Sequence, residues 1–404
     1  MMPSSRLHPS FGLVGWQDRV LNRPWSNPFS APSDAYWMAE ALFEAMKGFP
    51  EASPNPSVGC ILVKNGRELA RGFTEPFGGL HAEAKALSKM DQALAKGATI
   101  YVTMEPCTHR GKQPPCLEAI LPLGIERIVI AMRDPNPLVS AKGLETLKSS
   151  GVQVDLGILE AEAKALYLCF AQQITSQRIP LILKWAQSID GALADHSGKS
   201  QWISSEDSRL YTHYLRLHYD AILVGARTVI EDVPSLLSRH PLATAENQPV
   251  RIIYDPSAAL SNSVSLAAQQ AILEKTFCLA AKTILLTSES RNHFTDLVEK
   301  KGHLVLSLDK HDPLNWDSTL SPHALKHVLK KPLGSLLVEG GPRLLTELIK
   351  TNQAVGGHIF MAPLFLGGLH RVGQNLSLDL KDSSFLNLKQ SCILGRDVLL
   401  EWTR

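Results

Sequence analysis

Leu80-His81-Ala82-Glu83, Glu105-Pro106-Cys107 and Pro114-Pro115-Cys116 place the strongest condition on this chain, because one imidazole and two thiols from separate segments suit a single metal ion. Zinc held by His81, Cys107 and Cys116 has three protein ligands and one open position, the arrangement of a catalytic centre; a structural zinc is closed by four. Any fold must therefore carry these three segments to one point. Eight residues separate Cys107 from Cys116, which excludes a tight zinc knuckle and implies a loop between the two thiols. The other four cysteines, Cys60, Cys169, Cys278 and Cys392, have apolar neighbours and are expected to be packed core residues. Six cysteines and no cleavable apolar signal segment fit a reducing cytoplasm better than a disulfide framework.

The residue types imply a reaction. Coordinated zinc lowers the pKa of its water to roughly 7, so an attacking hydroxide is available at neutral pH. Glu83, two residues from His81, is too near in sequence to be a comfortable fourth ligand but is well placed to carry a proton from water to a leaving amine. A His-x-Glu followed by Pro-Cys and a second cysteine is the signature of zinc-dependent deamination of nucleobase-like rings.

With 44% hydrophobic and 20% charged residues the composition is that of an ordinary globular protein, long enough for two domains. A net charge of only +2 argues against a nucleic-acid partner. No apolar run reaches the roughly 18 residues of a membrane helix. Residues 1–32 show no sustained periodicity and contain a single acidic residue, Asp18. Such a segment suits an organellar transit peptide, but Pro3, Pro9, Pro24, Pro28 and Pro32 leave little room for a targeting helix, and a plain N-terminal extension is the favoured reading.

After Ser33, a helix cap, the pattern predicts a helix from Ala35 to Met46 ending at Gly48. Val58–Lys64, Asn65-Gly66 and Arg67–Phe73 read as a β-hairpin with a two-residue turn. A helix starting at His81, a strand over 98–104, a helix from Cys116, a strand over 127–132 and a helix ending at Gly151 complete an alternating α/β unit, with the metal ligands where strands hand over to helices. Residues 160–177 read as one continuous linking helix. A second α/β series then opens, with strands over 181–186, 221–225, 250–255, 283–287, 304–308 and 335–338. The expected organisation is an extension over 1–32, a zinc-dependent domain over 33–177 and a second domain over 178–404.

Polar islands stand at the strand ends of this second half: Lys184 to Gly191 and Ser197 to Ser204, then Gly225 to Thr228 with Asp232 to Leu236 and Arg239, then Glu339-Gly340-Gly341 entering a helix. Ligands bind at such strand ends in α/β sheets, and free N–H groups at a helix start can hold phosphate. No G-x-G-x-x-G fingerprint occurs, so an ordinary dinucleotide fold is not indicated.

These residues together resemble the bifunctional deaminase/reductase family of riboflavin biosynthesis. The resemblance rests on Pro54-Asn55-Pro56-Ser57-Val58-Gly59, His81-Ala82-Glu83, Glu105-Pro106-Cys107-Thr108-His109, Pro114-Pro115-Cys116 and Asp134-Pro135-Asn136-Pro137 in the first half. In the second it rests on Lys184, Ser188-Ile189-Asp190-Gly191, Ser200-Gln201-Trp202-Ile203, Asp220 to Gly225, Thr228, Asp232, Pro234-Ser235-Leu236, Arg239 and Glu339-Gly340-Gly341. It implies a cytidine-deaminase-like αβα domain followed by a dihydrofolate-reductase-like α/β domain. It also implies Zn2+ and NADPH as cofactors, and a small phosphoribosylated pyrimidine as substrate. By that resemblance Glu83 is catalytic and His81, Cys107 and Cys116 hold the metal. Ala186, Trp202, Thr228, Asp232 and Gly341 bind the cofactor, and Ser200, Arg216, Leu236, Arg239 and Glu339 bind the substrate, with Lys184 and Asp190 also in the reductase site. Thr74, Lys112, Gln113 and Leu237 depart from the family pattern near expected substrate contacts. A deaminase with a degenerate, scaffolding second half and a non-enzymatic zinc-stabilised module are the alternatives. Oligomeric state stays open, a homo-oligomer included.

Overall fold

The computed structural model describes residues 27–108, 110, 112–137, 142–309, 311–312, 314–315, 319–321, 325, 329, 331–368, 370–374 and 386–404. Most of the predicted N-terminal extension, together with His109 and Gly111, lies outside them. The chain divides into two compact units, Met1–Gln177 and Arg178–Arg404.

In the first unit the Ser33 hydroxyl accepts the Tyr36 amide and caps helix Asp34–Ala45. β1 (Gly59–Lys64) and β2 (Arg67–Phe73) form the antiparallel hairpin; Asn65 and Gly66 both have positive φ, 51° and 70°, as a twist-matched two-residue turn requires. β3 (Thr99–Val102), β4 (Arg127–Ile130) and β5 (Gln153–Leu156) complete a sheet of order β2-β1-β3-β4-β5, with β3, β4 and β5 parallel. Cys60, Leu62, Ile100, Val102, Ile128 and Ile130 bury one face, while the alternate residues Ile61, Val63, Tyr101 and Val129 are buried on the other. Two glycines set how closely helices approach. A Cβ on Gly59 would lie 1.9 Å from the Ala41 carbonyl oxygen, and one on Gly72 would lie 2.5 Å from the Ala82 oxygen and 2.6 Å from the Ala86 nitrogen. Helix Ala82–Leu87, which follows His81, is thereby pressed against β2.

The expected continuous helix over 160–177 is in fact two, Glu160–Leu166 and Leu168–Ser176, separated at Tyr167 with φ −99° and ψ 15°. Its ring turns into the core, where the hydroxyl lies 2.5 Å from the Thr103 hydroxyl and donates to the Ser57 carbonyl at 3.1 Å. Packing of one buried phenol overrides the helical pattern here.

In the second unit β6 (Leu181–Ser188), β7 (Ala221–Gly225), β8 (Val250–Asp255), β9 (Thr283–Thr287), β10 (Leu304–Ser307), β11 (Leu336–Val338), β12 (Ala354–Ala362), β13 (Asn387–Leu394) and β14 (Asp397–Thr403) form one sheet of order β10-β9-β8-β7-β11-β6-β12-β14-β13. The strands from β10 through β12 are parallel, and β14 and β13 close the far side antiparallel. Alternate residues enter separate clusters: Ala221, Leu223, Ile252, Tyr254, Ile284 and Leu286 in one, Ile222, Val224, Ile253 and Leu285 in the other. The parallel part is thus buried on both faces, as crossover helices demand. Of the four cysteines expected in the core only Cys60 is fully buried; Cys169, Cys278 and Cys392 are half-buried.

Candidate active sites

His81 has extended backbone angles and stands as the residue before helix Ala82–Leu87, so its ring is not used in capping. Cys116 opens helix Cys116–Ile120, and Cys107 follows β3. The loop carrying Cys107 is fixed from below by Glu105. Its buried carboxylate accepts the Gly143 and Leu144 amides at 3.0 and 3.4 Å, at the start of helix Lys142–Ser149, and its own amide donates to the Met132 carbonyl. A Cβ on Gly143 would lie 2.7 Å from the Pro106 oxygen, so the approach is close.

His81 Nδ1 lies 3.2 Å from Cys116 Sγ and 3.5 Å from Cys107 Sγ, and the two sulfurs are 3.4 Å apart. A tetrahedral zinc with ordinary bond lengths needs edges of about 3.5 Å (N to S) and about 3.8 Å (S to S). The three donors already mark one face of such a tetrahedron, and they are the only His/Cys/Asp/Glu group of this kind among the described residues. The chemistry of the donors fits too. Cys107 is held down to about 4 by the hydrogen bond from Cys116, against its burial, with His81 and the Cys116 amide assisting; Cys116, which keeps the proton, is pushed up. A divalent cation held by these three residues would take the place of that proton. The Cys107 sulfur in turn raises the His81 imidazole.

Glu83 is 3% exposed, and burial raises its carboxyl above the usual range. It interacts with the Cys116 side chain, so a protonable carboxyl lies against the ligand set. In the same unit, the Thr74 hydroxyl accepts the Val58 amide at 2.9 Å and the Thr103 hydroxyl accepts the Gly59 amide at 3.0 Å. Lys112 Nζ lies 3.7 Å from the Phe77 ring centroid and Gln113 Nε2 donates to the Gly78 carbonyl at 2.9 Å. Those two family departures join the loop before Cys116 to the one before His81. The sequence motif includes Glu105 without giving it a role, and Thr103 and Tyr167 carry no sequence signal of their own.

In the second unit, Arg216 donates from Nε and Nη2 to both oxygens of Glu339, at 2.7 and 3.0 Å, and from Nη1 to the Leu237 carbonyl at 2.9 Å. Lys184 Nζ stands 4.0 Å from Glu339 and 5.3 Å from the centre of the Phe360 ring. Burial lowers the Lys184 ammonium, while Glu339 is held below its usual range by Arg216 and Lys184 despite its burial. Three of the expected site residues therefore meet as one cluster. Thr228 and Gly341 also meet, since a Cβ on Gly341 would lie 3.8 Å from Thr228 Oγ1, and helix Pro342–Lys350 has no side-chain cap over its first amides. Asp232 bonds to the Gln201 side chain beside Trp202, which is 64% exposed and lies 4.8 Å from the Arg209 guanidinium. Ala186 pairs with Phe360, Ser200 and Arg239 are exposed, and Leu236 turns its side chain into the core with φ 57°. Asp190 has a different setting: Ser188 Oγ donates to it at 2.5 Å and the Leu366 and Gly367 amides at 3.2 and 2.9 Å, holding its carboxyl at about 2. It fastens the turn after β6.

Comparison with known proteins agrees in both halves. The cytidine and deoxycytidylate deaminase zinc-binding region matches residues 31–132, and the RibD C-terminal domain matches 180–400. The riboflavin biosynthesis protein RibD of Aquifex aeolicus is 39% identical over 375 residues, 92% of this chain and 98% of the relative; that of Escherichia coli is 33% identical over 350 residues, 83% and 89%. A solved deaminase/reductase from Thermotoga maritima, described as acting on diaminohydroxyphosphoribosylaminopyrimidine and 5-amino-6-(5-phosphoribosylamino)uracil, superposes with TM-score 0.77 at 32% identity, covering 92% of this chain and 98% of its own. Acinetobacter baumannii RibD gives 0.73 at 30% identity, with the same coverage. The chain belongs to the RibD family of riboflavin biosynthesis, bifunctional enzymes that join a zinc-binding deaminase domain to a reductase domain.

Proposed function

We propose that this chain performs two consecutive reactions on one phosphoribosylated pyrimidine. The first is hydrolysis of the ring amino group of 2,5-diamino-6-(5-phosphoribosylamino)pyrimidin-4(3H)-one; the second is NADPH-dependent reduction of the ribosyl to a ribityl chain. The observation that carries the first is Glu83, buried against three donors spaced for zinc. His81, Cys107 and Cys116 would hold the metal, which when bound makes water acidic enough to attack a ring carbon. Glu83 would take a proton from water and return it to the leaving nitrogen, a role suited to a buried carboxyl whose pKa burial raises above the usual carboxylate range. Water supplies the new oxygen and ammonia departs.

For the reduction, Ser200, Arg216, Leu236, Arg239 and Glu339 are assigned to the phosphorylated sugar, and Ala186, Trp202, Thr228, Asp232 and Gly341 to NADPH. The cofactor supplies the hydride. Lys184, partly buried and next to Glu339, has the proton to give at the sugar. With three of its five N–H groups given to Glu339 and Leu237, Arg216 also orients Glu339 and the Leu237 segment. The reaction is placed in the cytoplasm, where thiolate ligands stay reduced. No helix among the described residues is long and apolar enough to cross a membrane.

Purified zinc-loaded protein given the diaminopyrimidine and NADPH should release ammonia and oxidise NADPH, monitored separately. Glu83→Gln should retain zinc and lose deamination by about 100- to 10,000-fold, the range for a lost general acid/base. Ammonia release at the wild-type rate in that variant rules the assignment out.

A further inference from the structure

The segment Pro234–Arg239 follows helix Ala226–Asp232 and turns sharply, with Val233 and Leu236 at φ 40° and 57°. Its carbonyls are tied down one after another. Thr276 donates its hydroxyl to Pro234 at 2.7 Å, Arg251 Nη1 reaches Ser235 at 3.2 Å, and Arg216 Nη1 reaches Leu237 at 2.9 Å. Arg251 is fully buried and gives its remaining bonds to the carbonyls of Cys278 and Ala281, both at 2.5 Å, and to Cys278 Sγ at 3.2 Å. Ser238 is held as well: its hydroxyl donates to the His213 carbonyl at 2.6 Å, its amide donates to Gln248 Oε1 at 2.8 Å, and its carbonyl accepts from Gln248 Nε2 at 3.1 Å. The next residue, Arg239, directs its amide at His213 Nδ1, 3.3 Å away.

A backbone amide can only donate, so Nδ1 must carry the lone pair and the ring proton must sit on Nε2. We propose that His213 is a positioning residue of the reductase site: by accepting the Arg239 amide on Nδ1 it fixes the end of this loop and the direction in which the Arg239 guanidinium leaves it. The inference rests on the reading above that Arg239 holds the substrate phosphate. His213 lies three residues before Arg216 on helix Glu206–His218, and residues so spaced share a helix face. One face of one helix therefore supports both arginines, Arg216 directly and Arg239 through its backbone. The ring stays neutral, as the bond requires, because burial and the charges of Arg216 and Arg239 bring the imidazole down to about 4.

The test uses full-length enzyme, the already deaminated phosphoribosylaminouracil and NADPH, with steady-state kinetics of His213→Ala, His213→Asn, His213→Gln and Arg239→Ala. His213→Ala should raise the KM for the pyrimidine by roughly 3- to 10-fold, the equivalent of one lost hydrogen bond. The kcat and the KM for NADPH should stay within about twofold of wild type, since the positioning acts on a contact the substrate makes equally before and during reaction. The Asn amide oxygen falls near the place of Nδ1 and should restore the KM, whereas Gln, whose amide reaches the place of Nε2, should not. Wild-type KM in His213→Ala overturns the inference, and so does rescue by Gln with none by Asn. Should Ala fail to fold, the Asn and Gln pair decides alone. Wild-type KM in Arg239→Ala instead removes the phosphate reading itself; a raised KM there beside a normal His213→Ala removes only the role of His213.

Discussion

His81 and His213 are driven in opposite directions by what surrounds them, the first up by the Cys107 sulfur and the second down to about 4 by burial and two arginines. The second shift has a stability consequence. In the unfolded chain His213 titrates near 6.5, so between about 6.5 and about 4 the unfolded state binds a proton that the folded state refuses, and stability falls as pH is lowered through that window. Below it the contribution is constant. Arg216, Arg239 and Lys184 oppose protonation and Glu339 favours it, so the cations prevail. Urea midpoints at pH 7, 6 and 5 should drop less steeply for His213→Asn than for wild type; some slope will persist from His303, which burial lowers as well. Equal slopes would refute the assignment. The contrast between the histidines also shows what was legible at this scale. His81, Glu83, Cys107 and Cys116 stand out in the sequence because metal chemistry demands those side chains in that order. His213 and Arg251 serve backbone groups, and a bond to a carbonyl or amide prescribes no partner residue that a reader of the sequence could find.

Among the elements, the strands buried on both faces were the readable ones: β7, β8 and β9 stand at the residues expected from their apolar runs. β5 was missed because it is half exposed and reads Gln-Val-Asp-Leu. β12 to β14 were missed for related reasons. Gly356-Gly357-His358 interrupts the first, and the edge strand β13 leaves Leu388 and Ile393 in solvent, so neither a run nor a clean alternation survives. Close helix–strand approach is likewise invisible until the fold is known, and Gly72 tests it. Adding one methyl there would push Ala82 and Ala86, and with them the helix that carries Glu83, away from β2. Gly72→Ala should cost about 1–3 kcal/mol, as overpacking of a filled interior does, and should reduce ammonia release while NADPH oxidation of the deaminated substrate is kept. Chemical denaturation of the isolated variant measures the first effect; wild-type stability would mean that the helix can retreat without loss.

At the scale of the whole molecule the two chemistries are segregated: every donor of the zinc set precedes Gln177, every residue assigned to NADPH or the sugar follows Arg178, and each unit has core clusters of its own. Units built in this way carry a local substitution independently. Lys184→Ala is the sharpest probe, because it removes a partly buried ammonium while Glu339 keeps both bonds to Arg216 and so does not become an unpaired charge. The fold should therefore survive, and NADPH oxidation should fall by about 100- to 10,000-fold, the loss typical of a missing proton donor. Ammonia release from the diaminopyrimidine should stay within about twofold of wild type, the expectation for units that each have a core of their own. Glu83→Gln should give the reverse pattern when the deaminated intermediate is supplied. If a folded, zinc-replete Lys184→Ala protein lost both activities, the sites would be energetically coupled and the independence of the two units would have to be abandoned; retention of NADPH oxidation would instead take the proton at the sugar away from Lys184.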